Sequence, residues 1–277
     1  MNQNLKTSAI ALAMGLSTVG AFAAGTASDT AANYSGNWST TPPNLGSGFG
    51  SWTFTDNNVG SGSGPYAGTY LDLASYGNSD GALSGGYAWG TYANGGSGNG
   101  YLDMSRSFLA GPSGSASLYN QTFSMVIGAA GVGNAGSSVG LSIGNAFNVS
   151  YVGGGSDNMV LSVDGGAANP VPVAFANLNA GLEVSLAVSG PLNSLTEGYS
   201  LTLSPAAGGS AYYVGTGTFD SLDYNTSSFT LADVNTSGDQ FANNPTISPE
   251  TAVPEPSTLA LIAMNGAAAV AFLRRRK

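Results

Sequence analysis

The sequence predicts an all-β fold, an antiparallel β-sandwich, and three observations lead to that prediction. Between the two ends of the chain, β-branched and aromatic residues alternate with polar ones in many short runs. Turns rich in Gly, Asn and Ser separate the runs, at close to the spacing of about 8 to 12 residues that is typical of sandwiches and barrels. No stretch between residues 24 and 253 shows a sustained helical repeat of apolar residues free of Gly and Pro.

Thirteen runs carry the strand pattern, and we place the sandwich domain at 51–240. The predicted strands are 51–55, 69–74, 87–93, 101–109, 122–127, 139–143, 147–152, 159–163, 171–175, 182–188, 199–203, 211–216 and 228–234. Asp164-Gly165 is a hairpin signal, and Pro170 and Pro172 suit an edge strand. Residues 24–50 are predicted to be a loosely ordered lead-in. Residues 241–252, with Pro245 and Pro249, are predicted to be a short stiff spacer.

Composition excludes several function classes. The 277 residues include no Cys and no His, which rules out disulfides, thiolate or imidazole metal sites and histidine-based catalysis. Between residues 24 and 253 there are 14 acidic residues and one basic residue, Arg106. Such a surface repels phosphate backbones, so a nucleic acid is not an expected partner.

The first 23 residues have the layout of a secretory signal peptide with a signal helix. Lys6 and the α-amino group precede an uncharged run at 8–22. Ala21-Phe22-Ala23 then fits the A-x-A cleavage pattern, with Ala21 and Ala23 at the small-residue positions. The mature chain is therefore predicted to begin near Ala24. An uncleaved N-terminal anchor is the alternative, against which the short apolar run argues.

Residues 253–277 combine three features that predict a membrane sorting signal. Pro254 and Pro256 flank Glu255 and keep this segment extended, because proline restricts helix formation at and before its own position. Sixteen uncharged residues follow at 258–273, enough for a membrane helix about 24 Å long. The last four residues are all basic and hold that end on the cytoplasmic side: Arg274, Arg275, Arg276 and Lys277. Everything upstream of Pro254 is thereby predicted to lie outside the inner membrane.

The segment Val-Pro-Glu-Pro-Ser-Thr-Leu-Ala-Leu from Val253, the apolar helix and the basic cluster together resemble the PEP-CTERM sorting signal. This resemblance covers 25 of the 277 residues. It implies recognition of Pro254, Glu255 and Pro256 by exosortase, a membrane protease or transpeptidase of Gram-negative bacteria, and stop transfer by the basic cluster. It also implies an association with exopolysaccharide and biofilm matrix. Asn265 departs from the family's usual small or apolar residues, and a plain single-span anchor is the alternative.

A second resemblance is one of pattern alone. Residues 101–109, with Arg106 before Phe108, and the following Thr122-Phe123-Ser124-Met125 are similar to the opening strands of concanavalin-like or laminin-G-like jelly rolls. The Gly-rich segments at 46–50, 60–68 and 77–100 are interpreted as long loops rather than as disorder. They interleave with aromatic residues that a disordered linker lacks: Tyr66, Tyr70, Tyr76, Tyr87, Trp89 and Tyr92.

Two motifs suggest sites that their surroundings do not support. Residues 131–136 match G-x-G-x-x-G, but Val139, Leu141 and Ile143 then alternate with period two, so a strand follows where a nucleotide site needs a helix. Residues 136–140 match the G-x-S-x-G nucleophile elbow, but the chain has no His to act as the base and no Lys between residues 24 and 253.

Carboxylates leave two questions open. A glycosidase needs two of them about 5 to 10 Å apart, and the candidates are Glu183, Glu197, Asp220 and Asp223. The E-x-D-x-E strand motif of laminarinase-type hydrolases is absent, so we expect no enzymatic activity. No cofactor is predicted. Structural calcium is an open hypothesis, with candidate ligands at Asp157, Asn158, Asp164, Asp233 and Asp239.

These observations favour an exported, non-enzymatic protein of the cell surface or extracellular matrix, sorted by exosortase and associated with exopolysaccharide. The alternative is a carbohydrate-binding module, because all three Trp (Trp38, Trp52 and Trp89) and eight of thirteen Tyr precede residue 120. The competing interpretation of these rings is that they fill the core. A secreted carbohydrase with paired carboxylates is the third hypothesis.

Overall fold

Alternating burial along the strands shows why this sequence forms sheets. In the strand Leu182–Ser189, every second side chain is fully buried and the residues between are half-buried on the other face. The buried set is Leu182, Val184, Leu186 and Val188. Since side chains of a strand point to opposite faces in turn, this period of two directs one apolar face towards a second sheet.

In the computed structural model of the protein, the described residues are 25–34, 44–57, 65–73, 87–95, 99–109, 118–155, 157–190, 195–236 and 238–249. They form two antiparallel sheets packed face to face, with a five-residue helix α1 (Phe175–Asn179) and one turn of 3-10 helix at Ala31–Asn33. The all-β antiparallel sandwich predicted from the sequence is therefore confirmed.

The first sheet has eight strands. In chain order these are β1 (Ala27–Ser28), β3 (Tyr66–Leu73), β4 (Tyr87–Asn94), β6 (Gln121–Ala129), β11 (Leu182–Ser189), β12 (Thr196–Pro205), β13 (Tyr213–Asp220) and β15 (Asp239–Pro249). Across the sheet the order is β13-β12-β11-β6-β15-β4-β3, and the short β1 pairs with β15. The strands β13 and β3 are thus the two edges.

The second sheet has seven strands. They are β2 (Thr53–Asp56), β5 (Tyr101–Ser107), β7 (Ser138–Ile143), β8 (Phe147–Val152), β9 (Asn158–Val163), β10 (Asn169–Ala174) and β14 (Ser228–Val234). Their order is β10-β9-β8-β7-β14-β5-β2, so the Pro-containing β10 lies at an edge, as predicted. Asp164 and Gly165 have φ of 55° and 60°, the left-handed turn that the hairpin signal indicates.

Aromatic rings fill the core between the sheets. Trp52 and Trp89 meet edge to face at 5.0 Å, and Phe229 lies 5.5 Å from Trp52 and from Phe123. Phe108 stacks on Phe123 at 5.4 Å. Edge-to-face and offset contacts of this kind stabilise a core beyond the burial of area alone. The aromatic residues of the first half of the chain therefore serve the core to a large extent.

The predicted spacer at 241–252 is wrong for its first nine residues. They belong to β15, which lies in the interior of the first sheet between β6 and β4. Pro245 fits because a bulge shifts the register between Asn243 and Thr246, with Asn244 at a φ of 50°. A proline has no N–H to donate, so the bulge is where a strand accepts it.

Within the predicted lead-in at 24–50, the described residues 25–34 and 44–50 are more ordered than expected. The strand β1 extends the first sheet, and Asp29 and Tyr34 are buried at 6% and 3% exposure. The predicted signal helix at 1–23 and membrane helix at 258–273 lie outside the described residues. Within the described part of the chain, no helix has the length and apolarity to cross a membrane.

Candidate functional site

A cleft of 310 Å³ opens between the edge strands β10 and β13, and we call it the tyrosine cleft. Tyr199 of β12 and Tyr213 of β13 line its first-sheet side, while Leu161, Asn169 and Val171 line the other. None of the residues that line it carries a charge. Concave sites with an apolar lining and a few polar groups are where proteins hold small ligands.

Two glycines leave room for the tyrosine rings beside the cleft. The inward face of β13 presents Tyr213, Gly215, Gly217 and then the buried Phe219. A Cβ atom on Gly215 would lie 2.3 Å from the Tyr213 hydroxyl, and one on Gly217 would lie 2.9 Å from Cε1 of Tyr199. The two tyrosine side chains therefore occupy the space that a side chain at 215 or 217 would take.

The tyrosine rings are held in position by the core. Tyr199 meets Phe147 edge to face at 5.0 Å, and both Tyr199 and Tyr213 pack against the central apolar cluster. Burial raises the pKa of Tyr199, and the nearby Tyr213 and Asp164 raise it further. The Tyr199 phenol therefore stays neutral and keeps its proton at physiological pH.

A second cleft, of 260 Å³, lies at the opposite edges, beside β2 and β3. Asp56, Thr69 and Tyr92 contribute its polar lining. The Tyr92 ring lies over Gly68, where a Cβ atom would come 2.6 Å from its hydroxyl oxygen. This cleft carries a carboxylate at its wall, which distinguishes it chemically from the uncharged tyrosine cleft.

The aromatic residues proposed for sugar stacking divide into two groups. Trp52 and Trp89 are 5% and 0% exposed and belong to the core. Tyr66 and Tyr87 are 37% and 40% exposed on β3 and β4. Trp38 and Tyr76 lie outside the described residues. Exposed stacking by Trp52 and Trp89 is thus ruled out by their burial, whereas the tyrosines keep accessible surface.

The carboxylates proposed for catalysis are spread over the fold. Glu183 follows the inward Leu182 on β11 and so faces outward, while Glu197 of β12 is on the same face as the inward Tyr199. Burial raises the pKa of Glu197. Asp220 ends β13, where its amide donates to the Asp164 carboxylate at 3.1 Å, and Asp223 lies exposed in the following turn.

Two of the carboxylates proposed for calcium, Asp233 and Asp239, accept hydrogen bonds from hydroxyl groups. Asp233 is fully buried between the sheets, where it accepts hydrogen bonds from Thr236 at 2.7 Å and Thr91 at 3.3 Å. Burial raises its pKa to about 7, against the opposing effect of those hydrogen bonds. Asp239 instead accepts from the Tyr70 hydroxyl at 2.5 Å. Among the described residues, no three acidic side chains gather into a cation site.

One buried polar cluster was not predicted from the sequence. Arg106, the single basic residue between 24 and 253, is fully buried with its partner Asp29 and forms an ion pair with it. Its Nε donates to the Gly50 carbonyl at 2.8 Å, and its Cζ lies 5.0 Å and 4.9 Å from the ring centroids of Phe49 and Trp52. Arg106 lies on the same buried face of β5 as Leu102 and Met104. This basic residue at an apolar position of the alternating pattern is the sequence signal by which the cluster could have been found.

The predicted sorting residues lie outside the described part of the structure, and a comparison of sequences covers their segment. Residues 252–277 match the PEP-CTERM protein-sorting motif. No curated protein matches the chain by sequence. The predicted recognition residues Pro254, Glu255 and Pro256 fall within the matched segment, as does the basic cluster at 274–277.

Comparison of folds returns lectins and toxin binding domains. The chain is similar to lectin I-B4 of Griffonia simplicifolia in its metal-free form, at 10% identity and a TM-score of 0.39, over 80% of this chain and 98% of that one. It is similar to lectin II of Ulex europaeus at 7% identity and 0.33, over 80% and 97%. The binding domain of botulinum neurotoxin serotype D/C matches at 8% and 0.36, over 71% of this chain and 47% of that one.

Proposed function

We propose that this chain is an exported, non-enzymatic protein of the cell surface or extracellular matrix, delivered by exosortase through its C-terminal signal. The match of residues 252–277 to the PEP-CTERM motif carries the proposal. Such a signal indicates export with a membrane-anchored precursor. Because the terminal basic cluster favours the cytoplasmic side, the acidic sandwich upstream faces the outside.

The signal has three parts with separate roles in this proposal. Pro254, Glu255 and Pro256 form an extended segment that the processing enzyme recognises. Residues 258–273 hold the precursor in the inner membrane. Arg274, Arg275, Arg276 and Lys277 stop transfer. Export itself begins with the N-terminal signal, cleaved after Ala23.

The chemistry of the domain supports a role without catalysis. The chain has neither His nor Cys, so the common bases and thiol nucleophiles are missing. Glu183 and Glu197 are on opposite faces of the first sheet, where they share no substrate. A matrix protein needs a folded domain outside the cell and a signal that directs it there. The sandwich is such a domain, and the C-terminal segment is such a signal.

Replacing Pro254, Glu255 and Pro256 together with alanine tests the sorting proposal. We expect the variant to keep the mass of the signal-bearing precursor and to stay in the inner-membrane fraction, because the enzyme loses its recognition segment. Intact-mass spectrometry and cell fractionation in the source organism measure both. The matched control is Thr216→Ala with Thr218→Ala, two exposed positions on β13 far along the chain from the signal. If the triple variant has the same mass and location as the processed natural protein, the proposal is contradicted.

A second candidate function is carbohydrate binding by the sandwich domain. The tyrosine cleft is the observation that favours it, since two tyrosines line it and none of its lining residues is charged. This role is compatible with the first, because an exported matrix protein meets polysaccharide outside the cell. Retention of the processed protein on polysaccharide from its own matrix tests it, and passage without retention counts against it.

A further inference from the structure

We infer that the tyrosine cleft is a binding site for uncharged sugar residues of a polysaccharide. The inference rests on the proposed carbohydrate-binding role and gives it a place in the fold and a ligand class. The cleft lies between β10 and β13, on the side of the sandwich remote from β2 and β3. Its 310 Å³ is at the small end for ligand sites, which suits one or two sugar rings rather than a large ligand.

The two tyrosines provide the chemistry that a sugar needs. A pyranose ring has an apolar face of C–H groups and a rim of hydroxyls, and a tyrosine has an apolar ring with a hydroxyl that both donates and accepts. Tyr199 and Tyr213 reach the cleft from adjacent strands of one sheet. Asn169 faces them from β10, beside the apolar Leu161 and Val171. Both kinds of sugar surface therefore have a partner.

The rings are positioned before a ligand arrives. Phe147 and Gly217 hold Tyr199 on two sides, and Gly215 lies directly beneath the Tyr213 hydroxyl. Side chains that are already fixed lose little conformational entropy on binding. Individually weak contacts with a sugar then contribute more to the net affinity. Glycine at 215 and 217 is thus part of the site, because a Cβ atom there would clash with the tyrosine rings in their present positions.

Charge selects the ligand class. No residue that lines the cleft is charged, and the carboxylate of Asp164 lies close enough to affect the titration of Tyr199. Among the described residues the one cation is Arg106, which is buried in its ion pair with Asp29. Uronate-containing or phosphorylated polysaccharides meet repulsion here and find no cation to neutralise them. An uncharged glycan avoids both penalties.

Affinity electrophoresis of the processed full chain tests the inference. The probes are an array of uncharged glycans together with laminarin and dextran, and alginate serves as the anionic comparison. We expect retardation by at least one uncharged glycan and none by alginate. Tyr213→Ala should weaken that binding at least tenfold, and Tyr199→Phe, which keeps the ring packed on Phe147, should weaken it severalfold. Tyr101→Ala, an exposed tyrosine on β5, is the matched control and should bind as the natural chain does.

Each other outcome overturns a specific part. If both tyrosine variants fold and still bind uncharged glycans, the tyrosine cleft is not the binding site, although the protein does bind carbohydrate. Preference for alginate over every uncharged glycan removes the ligand class. Binding to no glycan removes the carbohydrate role with the site, while the sorting proposal is decided separately by the mass of the Pro254-Glu255-Pro256 variant.

Discussion

Arg106 fastens the described residues 25–34 and 44–50 to the sandwich. Its guanidinium donates to the carboxylate of Asp29, the side-chain oxygen of Asn44 and the carbonyl of Gly50. Asp29 in turn accepts a 2.6 Å hydrogen bond from Tyr34, and burial raises the pKa of that phenol, so it remains a donor. The buried guanidinium donates through Nε, Nη1 and Nη2, and these bonds fix the position of residues that have little regular structure of their own.

Arg106→Met tests this anchor. Methionine keeps apolar contact with Phe49 and Trp52 but leaves Asp29 buried without its cation, and we expect the free energy of unfolding to fall by about 3–5 kcal/mol. Urea denaturation followed by tryptophan fluorescence measures it. Asp223→Asn, at an exposed carboxylate, should change stability by less than about 0.5 kcal/mol. If Arg106→Met unfolds at the same urea concentration as the natural chain, the ion pair is not an anchor.

At the scale of elements, β15 joins the two parts of the first sheet. It pairs with β6 on one side and β4 on the other, and β3 is attached through β4 alone. Asn243 reinforces the junction, because its side-chain oxygen accepts from the Ala31 amide at 2.9 Å and its amide donates to the Tyr87 carbonyl. Removing β15 therefore detaches β3 and β4 as well.

Two truncated chains, produced without the signal peptide, test whether residues 241–249 act as a structural strand or as a spacer. A chain ending at Gln240 should lack the cooperative thermal unfolding transition, because the sheet loses its connection between β6 and β4. A chain ending at Glu250 keeps β15 and should unfold cooperatively. Circular dichroism during heating measures both. Equal melting temperatures would mean that residues 241–249 are a dispensable spacer after all.

The strands that sequence predicts well are those whose order arises locally. In β8, Phe147, Val149 and Tyr151 are buried and alternate with polar neighbours, so the pattern alone locates the strand. The strand β15 breaks its pattern at Asn243-Asn244-Pro245, and only pairing on both sides turns it into a strand. The two-residue β1 is too short for any pattern and depends on its partner.

The candidate sites differ in the same way. The sorting signal is contiguous, so Pro254-Glu255-Pro256, the apolar run and the basic cluster identify it directly in the sequence. The tyrosine cleft depends on register: Tyr199 lies opposite Gly217 only because β12 and β13 pair as they do. The tyrosines of the cleft also lie in the second half of the chain. The sequence instead predicted sugar stacking by the aromatic residues before residue 120, where all the Trp and most of the Tyr occur.

For the whole molecule, the predicted cleavage after Ala23 leaves the described N-terminal contacts of the sandwich in place. Close to the predicted cleavage site, the Gly25 carbonyl accepts from the Gln121 side chain at 2.7 Å, and β1 follows at Ala27. Cleavage after Ala23 would therefore keep both the Gly25 hydrogen bond and β1. We expect N-terminal sequencing of the exported protein to read Ala24 first. An N-terminus inside 27–34 would contradict this, because it would remove β1 or the Asp29 anchor.

Stability of the whole domain should fall as pH rises from about 4 to 8. Burial raises the pKa of Asp233 to about 7 from 3.8, and it raises the pKa of Asp103, Glu197 and Asp239 in the same direction. Between the unfolded and folded pKa values the folded state binds more protons, so the free energy of unfolding decreases with rising pH. The stabilisation is complete below about pH 4 and is lost as pH passes through 7.

Asp233→Asn isolates the main contributor to this dependence. Asparagine imitates the protonated carboxyl beside Thr91 and Thr236, so the variant should lose most of the slope. For the natural chain we expect about 2 to 3 kcal/mol more stability at pH 5 than at pH 8, since one pKa unit corresponds to about 1.4 kcal/mol. Urea titrations at both pH values measure the difference, with Asp157→Asn as an exposed control that keeps the natural slope. A natural chain equally stable at pH 5 and pH 8 would show that Asp233 is ionised in the fold, and the inter-sheet contacts around it would then have to stabilise a buried anion.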